Sequence, residues 1–348
     1  MVILQQESYV FDPRPRYPLV VTAKRYWHPE LFSEGPDALT IIFTHGTGFH
    51  KEQWEPTFED LVSLLEGSGN AGKRIREFWS LDCPNHGDAA VLNEEELSYG
   101  YEEVFSWEEY ARSVHSFLAG LGKGIPVDFS TRSLVGIGHS MGGVALSLAN
   151  TFYPPLNFKF MILVEPMTFP KPPPPEELGG HNLDLASGAM KRRDKWSSRQ
   201  EAFDALQARS SFKIWDPRVL KIFTEHGMRE LPTALYPDEK QGVTLKCEKL
   251  REAAAYRETL GRARTYKFLG TLCSMFPVHI IYGQIDDYIP RPWKQGVLEQ
   301  ACQGKYASLT RVPKAGHLIV QTQPRGLAKA LYDVLDKQEN RTIASSKL

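Results

Sequence analysis

The run Gly138-His139-Ser140-Met141-Gly142-Gly143 sets a serine hydroxyl among small residues, after the apolar stretch Leu134 to Ile137 and before the helix-forming stretch Val144 to Ala149. A strand that enters G-x-S-x-G and leaves as a helix makes a sharp turn that exposes the serine as a nucleophile. A serine hydroxyl attacks poorly at neutral pH unless a base removes its proton and an acid orients that base. On a scaffold of this kind the chain order is serine, acid, histidine. His317, in Lys314-Ala-Gly-His-Leu318, is the expected base; of the ten histidines it alone lies in a post-strand loop near the carboxy terminus. Asp286, at the end of Ile280-Ile-Tyr-Gly283-Gln-Ile-Asp286, is the first choice for the acid. Glu165, which closes the strand-like Phe158 to Val164, is the alternative, and Asp287 is a neighbour one residue out of register. Backbone amides must also meet the developing oxyanion. Met141, which follows the nucleophile, supplies one, and the loop His45-Gly46-Thr47-Gly48-Phe49 supplies the other through Thr47 or, next, Gly48. His45, and His86 in Asp82-Cys-Pro-Asn-His-Gly87, are read as residues that order their loops.

These groups need a rigid frame. Short β-branched and aromatic runs alternate with longer helical patterns, which predicts an α/β fold: a mostly parallel sheet with helices on both faces. The strands are expected at Leu19 to Tyr26, Leu39 to Thr44, Arg76 to Leu81, Ser133 to Gly138, Phe158 to Val164, Val278 to Tyr282 and Ser308 to Val312. Ser106-Trp-Glu-Glu109 reads as a capping box opening a helix whose apolar stripe includes Trp107, Tyr110, Val114 and Leu118. A last helix is expected from Pro324 to Lys337. Between Val164 and Phe276 the alternation stops, and an inserted, mainly helical cap is expected over 170–270, with the core formed by 1–169 and 271–340. The insertion opens on Pro170-Lys-Pro-Pro-Pro-Pro175, a run suited to a stiff polyproline connector. Helices are expected near Ala186 to Trp196, Arg199 to Arg209, Pro217 to Glu225 and Glu248 to Gly261, while Val243 to Cys247 is either a strand or a loop. Phe203, Phe212, Trp215, Phe223 and Tyr236 could build the cap's own core or line an acyl pocket. Lys191-Arg-Arg-Asp-Lys195 is either a solvated face or a contact for the phosphates of a coenzyme A ester.

The composition narrows the alternatives. The chain has 348 residues, 42% of them apolar, with 41 basic against 42 acidic side chains. Interleaved charges that nearly cancel offer no field to gather nucleic acid. Four scattered cysteines, without a CxxC pair or metal-ligand spacing, read as free thiols in a reducing compartment. No secretory leader is expected from the first residues, and no run of 18 apolar residues predicts a membrane span. There is no dinucleotide fingerprint, phosphate-binding loop or metal-ligand cluster, and the chemistry above needs no cofactor.

The segments His45 to Gly48, Asp82 to Gly87, Gly138 to Gly143, and Gly283 to Asp286 with Gly316-His317 together resemble the α/β-hydrolase superfamily outside the expected cap. With Leu163-Val-Glu-Pro166, Asn85-His-Gly-Asp88 and Ser346-Lys347-Leu348, the chain is similar to fungal peroxisomal hydrolases of the peroxisomal-lipase and toxin-biosynthesis type. The resemblance implies a serine hydrolase of the peroxisomal matrix, acting on a small acyl substrate: a lipid-like ester, an acyl-coenzyme A, or a secondary-metabolite intermediate. The same triad could instead serve carbon–carbon cleavage, lactonisation or acyl transfer, and the fold could serve as a ligand-binding protein. Ser140 at the elbow disfavours epoxide hydrolase and dehalogenase chemistry, which need a carboxylate there.

Ser346-Lys347-Leu348 matches the tripeptide read by the peroxisomal import receptor, at the end of an expected polar tail over 341–348. Deleting these three residues is expected to leave the protein cytosolic by fluorescence microscopy, and unchanged peroxisomal signal would count against the address.

Overall fold

The computed structural model describes residues 4–67, 74–170 and 184–345. Its main sheet has eight strands: β1 (Gln5–Phe11), β2 (Val21–Trp27), β3 (Leu39–Thr44), β4 (Ile75–Leu81), β5 (Ser133–His139), β6 (Phe158–Val164), β10 (Val278–Gly283) and β11 (Ser308–Val312). They lie in the order β1-β2-β4-β3-β5-β6-β10-β11. The β1–β2 and β2–β4 pairings are antiparallel, and all others are parallel. The parallel strands are apolar on both faces because helices cover both. Ile42, Leu134, Met161, Leu163 and Ile280 point into one core, completed by the helices Trp107–Leu118, Met141–Ala149 and Leu260–Met275. Ile41, Phe43, Val135, Ile162 and Ile281 point into the other, against the helices Glu55–Gly67 and Pro324–Ser345.

β1 carries no apolar alternation in Gln5-Gln-Glu-Ser-Tyr-Val-Phe11 and is mostly exposed, so its sequence does not announce a strand. It holds its place as the antiparallel edge partner of β2. The helix at Trp107 also departs from the expected capping box. Ser106 Oγ caps the amide of Glu108 at 3.2 Å, while the Glu109 carboxylate accepts from the Tyr17 hydroxyl instead of reaching back to the helix start. The last helix runs eight residues further than expected, to Ser345, so most of the expected polar tail is helical. Ser346 to Leu348 and Lys171 to Pro175 lie outside the described residues.

Residues 184–259 form a layer of short helices: Leu185–Lys191, Arg199–Gln207, Ser210–Lys213, Pro217–His226 and Lys249–Tyr256. A small antiparallel sheet, β7 (Lys195–Trp196), β8 (Met228–Glu230) and β9 (Val243–Leu245), runs among them in the order β7-β9-β8. The segment at Val243 is therefore a strand, and Trp196 belongs to a strand rather than to the preceding helix. Trp196, Leu206, Trp215, Val219, Leu220 and Met228 give this layer a core of its own. The helix expected over Glu248 to Gly261 is broken at residues 257–259, and its successor, Leu260–Met275, sends Leu269 and Leu272 into the sheet-facing core. Packing against the main sheet thus resumes before residue 270. Among the described residues no helix is long and apolar enough to cross a membrane.

Candidate active site

Ser140 stands between β5 and the helix Met141–Ala149 with φ 54° and ψ −117°, a strained conformation for a residue with a side chain. The turn is possible because its flanking residues are small. A Cβ on Gly138 would lie 2.6 Å from the Gly142 carbonyl oxygen, and one on Gly142 would lie 2.5 Å from the carbonyl oxygen of Thr44. Thr44 Oγ1 donates to the Gly142 carbonyl at 2.9 Å and ties the elbow to the end of β3.

His317 Nε2 lies 3.0 Å from Ser140 Oγ, and its Nδ1 lies 3.3 Å from Glu165 Oε2. A carboxylate only accepts, so Nδ1 carries the proton and Nε2 is left to accept from the serine. Two further bonds hold the imidazole's backbone. His139 Nε2 donates to the His317 carbonyl at 2.8 Å, and the His317 amide donates to Asp287 Oδ1 at 2.8 Å. Burial pushes His139 down to about 3, so this ring stays neutral and acts as a strut.

Glu165 is fully buried and itself has φ 46°. Its Oε1 accepts from the Gly283 amide at 2.6 Å and from Lys294 Nζ at 3.0 Å. Burial pushes the carboxyl up, but the hydrogen bond from His317 and the charge of Lys294 outweigh it and hold the group below its usual range. The ionised form is therefore the one poised beside the imidazole.

Asp286, the first choice from sequence, does not meet His317. Its Oδ2 pairs with Arg291 Nε at 2.7 Å, and its Oδ1 lies 3.3 Å from Lys294 Nζ. The reason is topological. β6 adjoins β5, with Val164 beside His139, whereas β10 is one strand further out. The turn after β10 is also pinned by the Gln284 and Ile285 amides to the carbonyls of Val312 and Ala315, at 2.9 and 2.8 Å. Asp286 is thereby presented to the cations of the helix Arg291–Gly296. Asp287 anchors the His317 loop through its backbone and does not touch the ring's nitrogens in this arrangement. Lys294, buried and bridging Glu165 to Asp286, is a site residue that the sequence pattern does not mark.

The amides of Thr47 and Met141 have no protein acceptor among the described residues. The Gly48 amide is already engaged: it donates to His86 Nε2 at 2.9 Å, which removes it as an oxyanion donor. His86 Nδ1 in turn donates to Asn85 Oδ1 at 2.6 Å, so the loops after β3 and β4 hold each other. His45 is also structural. Burial pushes it down to about 4; its Nδ1 donates to the Gly46 carbonyl at 2.8 Å and its Nε2 accepts from the Cys83 amide at 3.0 Å.

Ser140 and His317 open into a cavity of about 790 Å³ roofed by the cap, with Trp107, Met167, Phe212, Trp215 and Phe223 among its walls. Phe212, Trp215 and Phe223 serve the cap's core and the cavity at once, while the Tyr236 hydroxyl bonds to Asp194. The four cysteines are free thiols, and no cluster able to hold a metal occurs among the described residues.

Residues 41–330 match the Alpha/beta hydrolase family, and the chain belongs to that family. Among curated relatives it is 35% identical over 211 residues to the type I acyl-CoA thioesterase mpaH of Penicillium brevicompactum, covering 59% of this chain and 44% of that protein. It is 27% identical over 229 residues to the abhydrolase domain-containing protein ACTT2-1 of Alternaria alternata, covering 59% of this chain and 84% of that one. The chain thus spans about half the length of the thioesterases it matches. Among solved structures, the peroxisomal alpha-beta-hydrolase Lpx1 of Saccharomyces cerevisiae superposes with a TM-score of 0.68 at 21% identity, over 95% of this chain and 89% of that one. The thioesterase domain from the curacin biosynthetic pathway superposes with a TM-score of 0.61 at 14% identity, over 96% and 99%. These two show a shared fold.

Gly142→Ala tests the elbow. The added methyl must displace the Thr44 backbone, and a loss of about 1–3 kcal/mol in denaturant unfolding is expected, together with loss of Ser140 labelling by a fluorophosphonate. Labelling at the wild-type rate would contradict the packing described.

Proposed function

We propose that the protein is a serine hydrolase of carboxylic esters or thioesters, with Ser140 as nucleophile, His317 as base and Glu165 as the acid. The observation that carries this reading is the continuous hydrogen-bonded chain from Ser140 Oγ through both nitrogens of His317 to the buried carboxylate of Glu165. Ser140 Oγ attacks the acyl carbon while its proton passes to His317 Nε2. The amides of Thr47 and Met141 receive the oxyanion, a contribution of a few kcal/mol in such sites. The imidazolium then protonates the departing alcohol or thiol, leaving an acyl-enzyme. Water repeats the sequence in reverse, gives its proton to His317 and releases the acid. Glu165 keeps its charge throughout and stabilises the transient imidazolium.

A thioester substrate is supported by the Penicillium relatives, longer proteins named as acyl-CoA thioesterases. The apolar part of the cavity wall, with Trp107, Met167, Phe212, Trp215 and Phe223, suits an acyl chain.

Fluorophosphonate labelling of wild type and Ser140→Ala, followed by turnover of p-nitrophenyl acyl esters and acyl-coenzyme A of several lengths, tests the proposal. Ser140→Ala is expected to abolish labelling and to lower kcat by a factor on the order of 10⁴ or more. Labelling that survives in Ser140→Ala, or a folded wild type that neither labels nor turns over, would overturn it.

A further inference from the structure

Three arginines line the cavity above Ser140: Arg209, which is exposed, and Arg192 and Arg262, whose circumstances are opposite. Arg192 is neutralised by Glu252, with which it forms an ion pair. Arg262, which also lines the cavity, has no carboxylate within ion-pair distance among the described residues. One of its terminal nitrogens donates to the Tyr256 carbonyl at 2.8 Å. Its Nε is buried and finds no acceptor. Glu258, four residues earlier in the chain, gives one carboxylate oxygen to the amide of Gly261 at 2.5 Å.

The guanidinium lies 4.5 Å from the centre of the Trp107 ring and 5.5 Å from that of Phe169, so aromatic faces fix its plane without satisfying its N–H groups. Burial lowers its pKa to about 10, yet it remains protonated at neutral pH. It also sits in the first turn of the 16-residue helix Leu260–Met275, where the helix dipole favours anions. Burial, an orphaned donor and an adverse dipole all cost stability. A ligand that accepts from the fork offsets all three.

We propose that Arg262 is a specificity-determining residue that binds a carboxylate on the acyl part of the substrate. On this reading, which rests on the hydrolase proposed above, the preferred esters or thioesters derive from acids that carry a second, free carboxylate. A guanidinium presents paired N–H groups that match a planar carboxylate in two parallel bonds. The Trp107 and Phe169 rings beside the guanidinium suit one such planar group at the end of an apolar chain.

The test compares p-nitrophenyl half-esters of dicarboxylic acids, from glutarate to sebacate, with the same compounds methyl-capped at the far carboxylate. Wild type is expected to favour the free carboxylate at one or more lengths by a factor on the order of tenfold or more in kcat/KM, carried by KM. Arg262→Met should bring that ratio to about one, and Arg262→Lys should retain part of it. Because the ratio is taken within each variant, a general loss of activity cancels, and Arg262→Lys serves should Arg262→Met fail to fold. Calorimetric binding of the same dicarboxylates to Ser140→Ala, with and without Arg262→Met, reads the subsite even if the nucleophile were misassigned. A wild type that turned over neither series would remove the hydrolase reading while leaving calorimetry to decide on Arg262. Equal ratios in wild type and Arg262→Met, or no preference at any length, would overturn the proposal. A loss confined to acyl-coenzyme A would place the guanidinium on the leaving group and overturn it as well.

Discussion

Everything at the site depends on one imidazole being held from both sides. His317 has to meet Ser140 with one nitrogen and a carboxylate with the other, and it comes from a loop far from both in sequence. The parallel arrangement of β5, β6 and β10 makes this possible, because their carboxyl ends open at the same edge of the sheet. The strained serine, the left-handed Glu165 and the His317 loop all project from that edge. The backbone of His317 is fixed independently, by His139 at its carbonyl and Asp287 at its amide, so the ring is positioned before any substrate arrives.

The same edge gathers buried charge. Glu165 and Lys294 form a solvent-excluded pair at 3.0 Å, a kind of contact that adds little net stability because both ions lose their hydration. Its consequence here is geometric. Lys294 occupies one oxygen of Glu165 and leaves the other to His317, while Asp286, itself paired with Arg291, meets the same cation. A second buried cation, Lys51, binds Asp82, Glu52 and Asp88 and thereby joins the loops after β3 and β4. Together with the His86 to Gly48 bond, this holds the loop that carries Thr47, whose hydroxyl meets Met141 Sδ at 3.4 Å.

The parts of the site that were legible in the sequence are those written locally. Ser140 is marked by its glycines and by the change from strand to helix within a few residues, and His317 by its position after the last strand. The carboxylate that meets His317 is not legible in the same way, because Glu165 and Asp286 both follow strands closely and only the strand order tells which strand stands next to β5. Glu165 had one local sign, a carboxylate directly after a fully apolar strand. Gly48 failed as an amide donor for a similar reason: its partner, His86, lies 38 residues away on another loop. An exposed antiparallel edge strand such as β1 needs no apolar alternation, and the polar end of the last helix reads as a tail.

The choice between the two acids is the point on which the account stands, and paired isosteric variants decide it directly. Steady-state kcat/KM would be measured for Glu165→Gln and Asp286→Asn on one p-nitrophenyl ester, with folding checked by circular dichroism. The account predicts a loss on the order of 10²- to 10⁴-fold for Glu165→Gln, as expected when the orienting carboxylate of a triad is neutralised, and only a severalfold loss for Asp286→Asn. The reverse order would contradict it and return the acid to the end of β10.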